Sequence, residues 1–311
     1  MGWHSGPARQ MREITPMAAP TFETLLYTVN DGVAVITLNQ PDVLNVFSAR
    51  MLLDLLAVFD ITDADDDVRV VIITGSGKAF CAGADLAKHG ERTFDYDFIG
   101  GEDRELRTHL DGRPRDGGGQ VSLRIFDSLK PVIAAVNGFA AGAGATIQLA
   151  ADIRMASTRA KYGFVFTRRG LVPESASAWF LPRLVGVQTA LEWCFSGRLV
   201  EAQEALEAGL VRSVHEPDDL MPAAMAVARD IADNTAPVAV SLTRQLIWRM
   251  LGAAHPMDAH RIDSRAIRNR GASADVREGV NSFLERRPAV FPGKVSKDLP
   301  DVWEGWPRSD F

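Results

Sequence analysis

Apolar positions along this chain follow two rhythms. Val33 to Leu38, Val68 to Thr74, Val132 to Val136 and Ile153 to Ala156 are short, nearly unbroken apolar runs. Their length and β-branched content predict strands buried on both faces. Turn residues end the first three, as Asn39–Gln40–Pro41, Gly75–Ser76–Gly77 and Asn137–Gly138. Elsewhere the spacing is helical: Met51, Leu52, Leu55, Leu56 and Phe59 follow Ser48, a residue suited to cap the helix they predict. An acidic linker, Asp63 to Asp67, joins this helix to the next strand. Beyond Gln188, helical spacing recurs over 188–195, 201–208, 218–233, 237–251 and 275–286, broken by a strand-like run from Leu210 to His215.

Strand, turn and helix repeated in this way predict an α/β fold with buried sheets. Residues 1–20 read as an N-terminal extension or frayed tail, 21–215 as the core and 216–311 as a helical region. Within the core, the polar stretch 88–120 ends in Gly117–Gly118–Gly119 and is long for an inert connection. It reads as a mobile lid or as a surface insertion.

Composition narrows the function. The chain has 311 residues, 46% of them hydrophobic and 24% charged, as expected of a soluble globular protein. A net charge of −6 argues against nucleic acid as the main partner. No apolar run reaches the roughly 18 residues of a membrane span. Cys81 and Cys194 form neither a disulfide framework nor a metal-ligand spacing, which points to a reducing, cytoplasmic home and no metal. The six histidines form no metal spacing and no triad.

Two loops carry the candidate chemistry, AFCAGAD at Ala79–Asp85 and NGFAAGAG at Asn137–Gly144. Small residues here let a ligand approach the backbone, and unpaired N–H groups gather where a strand gives way to a helix. Two such groups aimed at one point stabilise a carbonyl oxygen as it gains negative charge. Each loop alone also reads as a tight βα turn.

With KAFCAGADL at Lys78–Leu86 and KPVIAAVNGFAAGAGATIQLAADIRMAS at Lys130–Ser157, the chain resembles the crotonase, or enoyl-CoA hydratase/isomerase, family. GLVPE at Gly170–Glu174, LPRLVG at Leu181–Gly186 and SFLERRPAVF near the C-terminus extend the resemblance from about Glu23 to about Phe291. The resemblance implies a spiral of ββα units, as in ClpP, with a C-terminal helical layer that builds trimers or hexamers. It implies an acyl-CoA thioester as substrate and no further cofactor. The backbone N–H groups of Ala84 and Ala143 would then form the oxyanion hole, with Ala82, Asp85, Leu86 and Gly142 around the substrate.

The family's two hydratase glutamates fall on Thr146 and Phe166, and neither residue moves a proton at neutral pH. Glu174, in LVPESAS, stands where some double-bond-shifting relatives carry a single catalytic glutamate. Its other reading is that Pro173–Glu174–Ser175 opens a helix. Helix-dipole attraction would lower its pKa, and burial against Trp179, Phe180 or Phe166 would raise it. Asp95, Asp97, Glu102, Asp103 and Asp116 belong to the insertion, as solvated acids or as groups entering the site when it closes. Cys81 reads as packing. For the coenzyme, Lys78, just before the first loop, reads as a phosphate contact or as a solvated residue, and the resemblance implies Phe283 and Arg286, acting across a subunit boundary; Arg261, Arg265, Arg268 and Arg270 read as helpers for phosphate, as a solvated face or as intersubunit salt bridges. Three functions stay open: an enoyl-CoA isomerase-like enzyme using Glu174, a hydratase or thioester hydrolase drawing its acids from the insertion, and an acyl-CoA-binding scaffold without turnover.

Overall fold

The computed structural model describes residues 21–86, 90, 93–95 and 115–306. The predicted N-terminal extension and most of the insertion, with Asp97, Glu102 and Asp103, lie outside them.

From the third strand to the eighth, consecutive strands alternate between two sheets. The first has six strands: β1 (Leu25–Asn30), β2 (Val33–Leu38), β3 (Val70–Gly75), β5 (Val132–Val136), β7 (Ile153–Ser157) and β10 (Ser213–His215), in that spatial order. All neighbours are parallel except the β1–β2 hairpin. The second has four strands: β4 (Ala79–Cys81), β6 (Phe139–Ala141), β8 (Lys161–Gly163) and β9 (Leu199–Glu201). The pairs β3–β4, β5–β6 and β7–β8 thus each give one strand to each sheet, producing the ββα spiral.

The unbroken apolar runs have a direct cause. Successive strand residues point to opposite faces, and here both faces are covered. Val71 and Ile73 of β3, with Val132, Ala134 and Val136 of β5, face the main core between the sheets and α1 (Ala49–Ala64). Val70 and Ile72, with Ile133 and Ala135, face the other way, onto Leu220, Ala224, Ala228 and Ala232 of a later helix. Ser48 caps α1 as its sequence predicts, its Oγ accepting from the Met51 N–H at 3.2 Å.

Further helices follow α1 among the described residues. They are α2 (Gly117–Phe126), α3 (Ala143–Thr146), α4 (Ser177–Val185) and α5 (Val187–Ser196). After α6 (Ala202–Glu207) come α7 (Leu220–Asn234), α8 (Pro237–Met250), α9 (Pro256–Gly271), α10 (Ala274–Glu285) and α11 (Val295–Asp298). Arg244 of α8 ties this helical region to the core. Its guanidinium donates to Asp152 at 2.8 Å and to the carbonyls of Ile125, Phe126 and Ser128, so it caps the C-terminal end of α2.

Several expectations are corrected. Gly117–Gly119 do not end a loop; they form the first turn of α2, capped by Asp116. The acidic linker is shorter than expected, because α1 runs to Ala64. Only Ser213–His215 of the Leu210–His215 run pairs as a strand. Helix α9 lacks an apolar signal, since Ile262 and Ala266 are its buried residues among mostly polar positions. The strands β4 and β6 lie inside the two small-residue loops, too short for a periodic pattern.

Candidate active site

The two loops meet face to face. Gly83 has φ 91°, and a Cβ there would sit 2.6 Å from the Ala141 oxygen. Gly144 lies so close to β4 that a Cβ would come 1.9 Å from the Cys81 oxygen. Only glycine permits this approach. Two asparagines brace the first loop. Asn45, fully buried, donates to the oxygens of Ser76 and Ala79 at 3.0 and 2.9 Å, and Asn137 accepts from the Gly75 N–H at 3.1 Å. Asn45 was not singled out from the sequence, where its signal is a polar residue within the run Val43–Phe47.

A cavity of about 380 Å³ opens where the loops meet. Ala82, Gly83 and Ala84 line it from one loop, and Gly142 and Ala143 from the other. Phe47 pairs with Ala84 as an isolated parallel bridge, through its own N–H to the Gly83 oxygen at 2.7 Å. Among the described residues, the N–H groups of Ala84 and Ala143 donate to no other group. The remaining walls are apolar, with Phe47, Leu52, Leu86, Phe94, Val165 and Phe166 prominent, and Arg169 is a cation at the edge.

Glu174 also lines this cavity. It does not open a helix: Ser175 and Ala176 follow with φ 60° and 54°, and α4 starts only at Ser177. That turn directs its carboxyl toward α3 and the start of α2. Thr146 donates to its Oε1 at 2.7 Å, and Ser175 to its Oε2 at 2.5 Å. Gly118 of α2 lies against it, since a Cβ there would be 2.2 Å from Oε2. Burial is the largest influence on this carboxyl and pushes it up to about 7. The Asp116 carboxyl beside it acts in the same direction, whereas the Ser175 and Thr146 hydroxyls favour the charged form.

Of the residues singled out from the sequence, Ala82, Ala84, Leu86, Gly142, Ala143, Phe166 and Glu174 thus share one cavity. Of the insertion acids, Asp116 joins them, and Asp95 is exposed. Lys78 and Asp85 are not among the lining residues. Phe283 is 80% exposed on α10, and Arg286 caps that helix with φ 55°; neither lines the cavity. Arg261 pairs with Asp258, Arg265 donates to backbone oxygens of Val302 and Glu304, and Arg270 pairs with Asp275. Cys81 is packed in β4, and burial pushes its thiol up to about 12. Among the described residues, no group of three or more His, Cys, Asp or Glu side chains is placed to hold a metal, and no helix is long and apolar enough to cross a membrane.

Residues 28–294 match the family profile described as Enoyl-CoA hydratase/isomerase. The chain is 41% identical over 262 residues to the enoyl-CoA hydratase ACTT3 of Alternaria alternata, covering 84% of this chain and 83% of that one. It is 34% identical over 286 residues to the 1,2-epoxyphenylacetyl-CoA isomerase of Escherichia coli K12, covering 88% and 99%. Among solved structures, a putative enoyl-CoA hydratase from Streptomyces coelicolor A3(2) superposes with a TM-score of 0.77 at 31% identity, over 91% of this chain and 100% of that one. With its alternating sheets and facing loops, the chain belongs to the enoyl-CoA hydratase/isomerase family of the crotonase superfamily.

Proposed function

We propose that the protein shifts a double bond in an acyl-CoA thioester, with Glu174 as the single base. One observation carries the reading. The Glu174 carboxyl, raised to about 7, lines the same apolar cavity as the free N–H groups of Ala84 and Ala143, while Thr146 and Phe166 stand where the resemblance expects hydratase glutamates. A base near neutrality is matched to proton transfer at physiological pH.

The thioester oxygen accepts from the Ala84 and Ala143 N–H groups. Glu174 removes a proton from C2 of a 3-enoyl thioester, and the electrons move onto that oxygen. The carboxyl returns the proton to C4, giving the 2-enoyl product with no net change in protons. The oxyanion donors supply the larger share of the stabilisation, because they are in place before charge develops. The apolar walls suit a hydrocarbon acyl group.

Hydration, or hydrolysis of the thioester, is a second reading. The neighbouring Asp116 favours it, because a second carboxyl can activate water, and the fungal relative is named a hydratase. Incubating wild type and Glu174→Gln with 3-enoyl-CoA and 2-enoyl-CoA separates the two. Isomerisation lost in the variant supports the proposal; hydration that survives the variant overturns it. The proposal extends to assembly: exposed Val280, Phe283 and Leu284 on α10 suit contact with a second copy in a trimer, a mass that sedimentation reads.

A further inference from the structure

Asp116 has a structural task and a position that this task does not require. It caps α2 through the Gly119 N–H, and the same oxygen, Oδ1, accepts from the Ser175 N–H at 3.1 Å. It therefore clips the left-handed turn at Ser175 and Ala176 to the start of a helix 59 positions earlier. Its carboxyl also lines the cavity and lies within hydrogen-bonding reach of Glu174. Two carboxyl groups this close do not both ionise readily.

We propose that Asp116 is a positioning residue for Glu174: it fixes the turn that aims the glutamate and sets its carboxyl beside that group in the cavity. This inference rests on the proposed role of Glu174. The other titratable or charged groups facing the pair among the described residues are Cys81 on β4 and, at the cavity edge, Arg169; Arg115 adjoins Asp116 in sequence. Thr146 and Ser175 face it as hydroxyls.

The placement has a chemical consequence. Glu174 takes the C2 proton as its carboxylate and becomes neutral, while the negative charge appears on the thioester oxygen. Returning the proton to C4 restores the carboxylate. Charge therefore moves from a buried site that disfavours it to one furnished with N–H donors.

The test is an infrared titration of the protonated carboxyl band in wild type, Glu174→Gln, Asp116→Asn and Asp116→Ser, with melting curves for each. Asn and Ser both serve as helix N-caps, so they keep α2 while removing the charge. A band that titrates near pH 7 in wild type, is lost in Glu174→Gln and titrates at least about one pH unit lower in the Asp116 variants is expected, giving roughly fivefold more ionised Glu174 at about pH 6. A folded Asp116 variant with an unmoved band overturns the inference, because a purely structural cap alters melting and leaves titration alone. The readout needs no turnover: a shifted band in an enzyme that isomerises nothing keeps the pair and rejects the proposed reaction.

Discussion

Thr146 donates its hydroxyl to Glu174 at 2.7 Å, joining the first turn after the second loop to the one carboxyl that hangs from the 174–176 turn. Thr146 is fully buried, so this bond forms away from water and favours the charged glutamate. Replacing Thr146 with valine keeps the shape and removes the donor. The Glu174 carboxyl then rises by about one unit. The acid limb of the rate profile should move up with it, and turnover near pH 7 should fall roughly fivefold. A pH–rate profile of Thr146→Val checks this.

Glu174 also carries a stability signature. Its carboxyl is raised from 4.5 to about 7, so across that window the folded protein binds more protons than the unfolded chain. Stability therefore falls as pH rises through the window. Glu174→Gln removes this slope. The variant should be more stable than wild type at about pH 8, by on the order of 1–3 kcal/mol, with the difference shrinking toward about pH 4. Urea denaturation at both pH values measures it.

The proposed oxyanion donors can be tested separately from the fold. Ala143 is the first residue of α3, after Gly142, and proline is tolerated at a first helical position. Ala143→Pro thus deletes the N–H at small structural cost. Turnover should drop about 100- to 1,000-fold, or roughly 3–4 kcal/mol, with the melting temperature nearly kept. Rate measurements beside calorimetry decide it.

Gly118 is where α2 touches Glu174. A Cβ there would sit 2.1 Å from Ser175 Oγ and 2.2 Å from Glu174 Oε2, whereas one at Gly117 meets Leu52 Cδ2 at 3.2 Å. Gly118→Ala should cost about 1–3 kcal/mol and most of the turnover, because both struck atoms are pinned by hydrogen bonds. Gly117→Ala should cost less on both counts. Denaturant titration and turnover of the two variants make the comparison.

Much of this was legible in the chain. Val33–Leu38 and Val132–Val136 are strands with the bounds their apolar runs predict, and Ser48 caps α1. These signals are local, since an element's period and cap are carried by adjacent residues. The two loops were visible as small-residue motifs, and Glu174 as the leading base, through the family resemblance. Strands β4 and β6 were hidden, because three residues carry no period. Helix α9 was hidden because little of it is buried.

The chain by itself determined the strands, the small residues that let two loops meet, and which carboxylate stands in the LVPES segment. Only the tertiary structure decided that carboxylate's state and company. Its protonation depends on burial and on Thr146 and Asp116, groups 28 and 58 positions away in sequence that the packing of α2 and α3 brings together. A hydrophobic pattern is written along the chain, but the cost of burying a charge is set by everything that surrounds it in space.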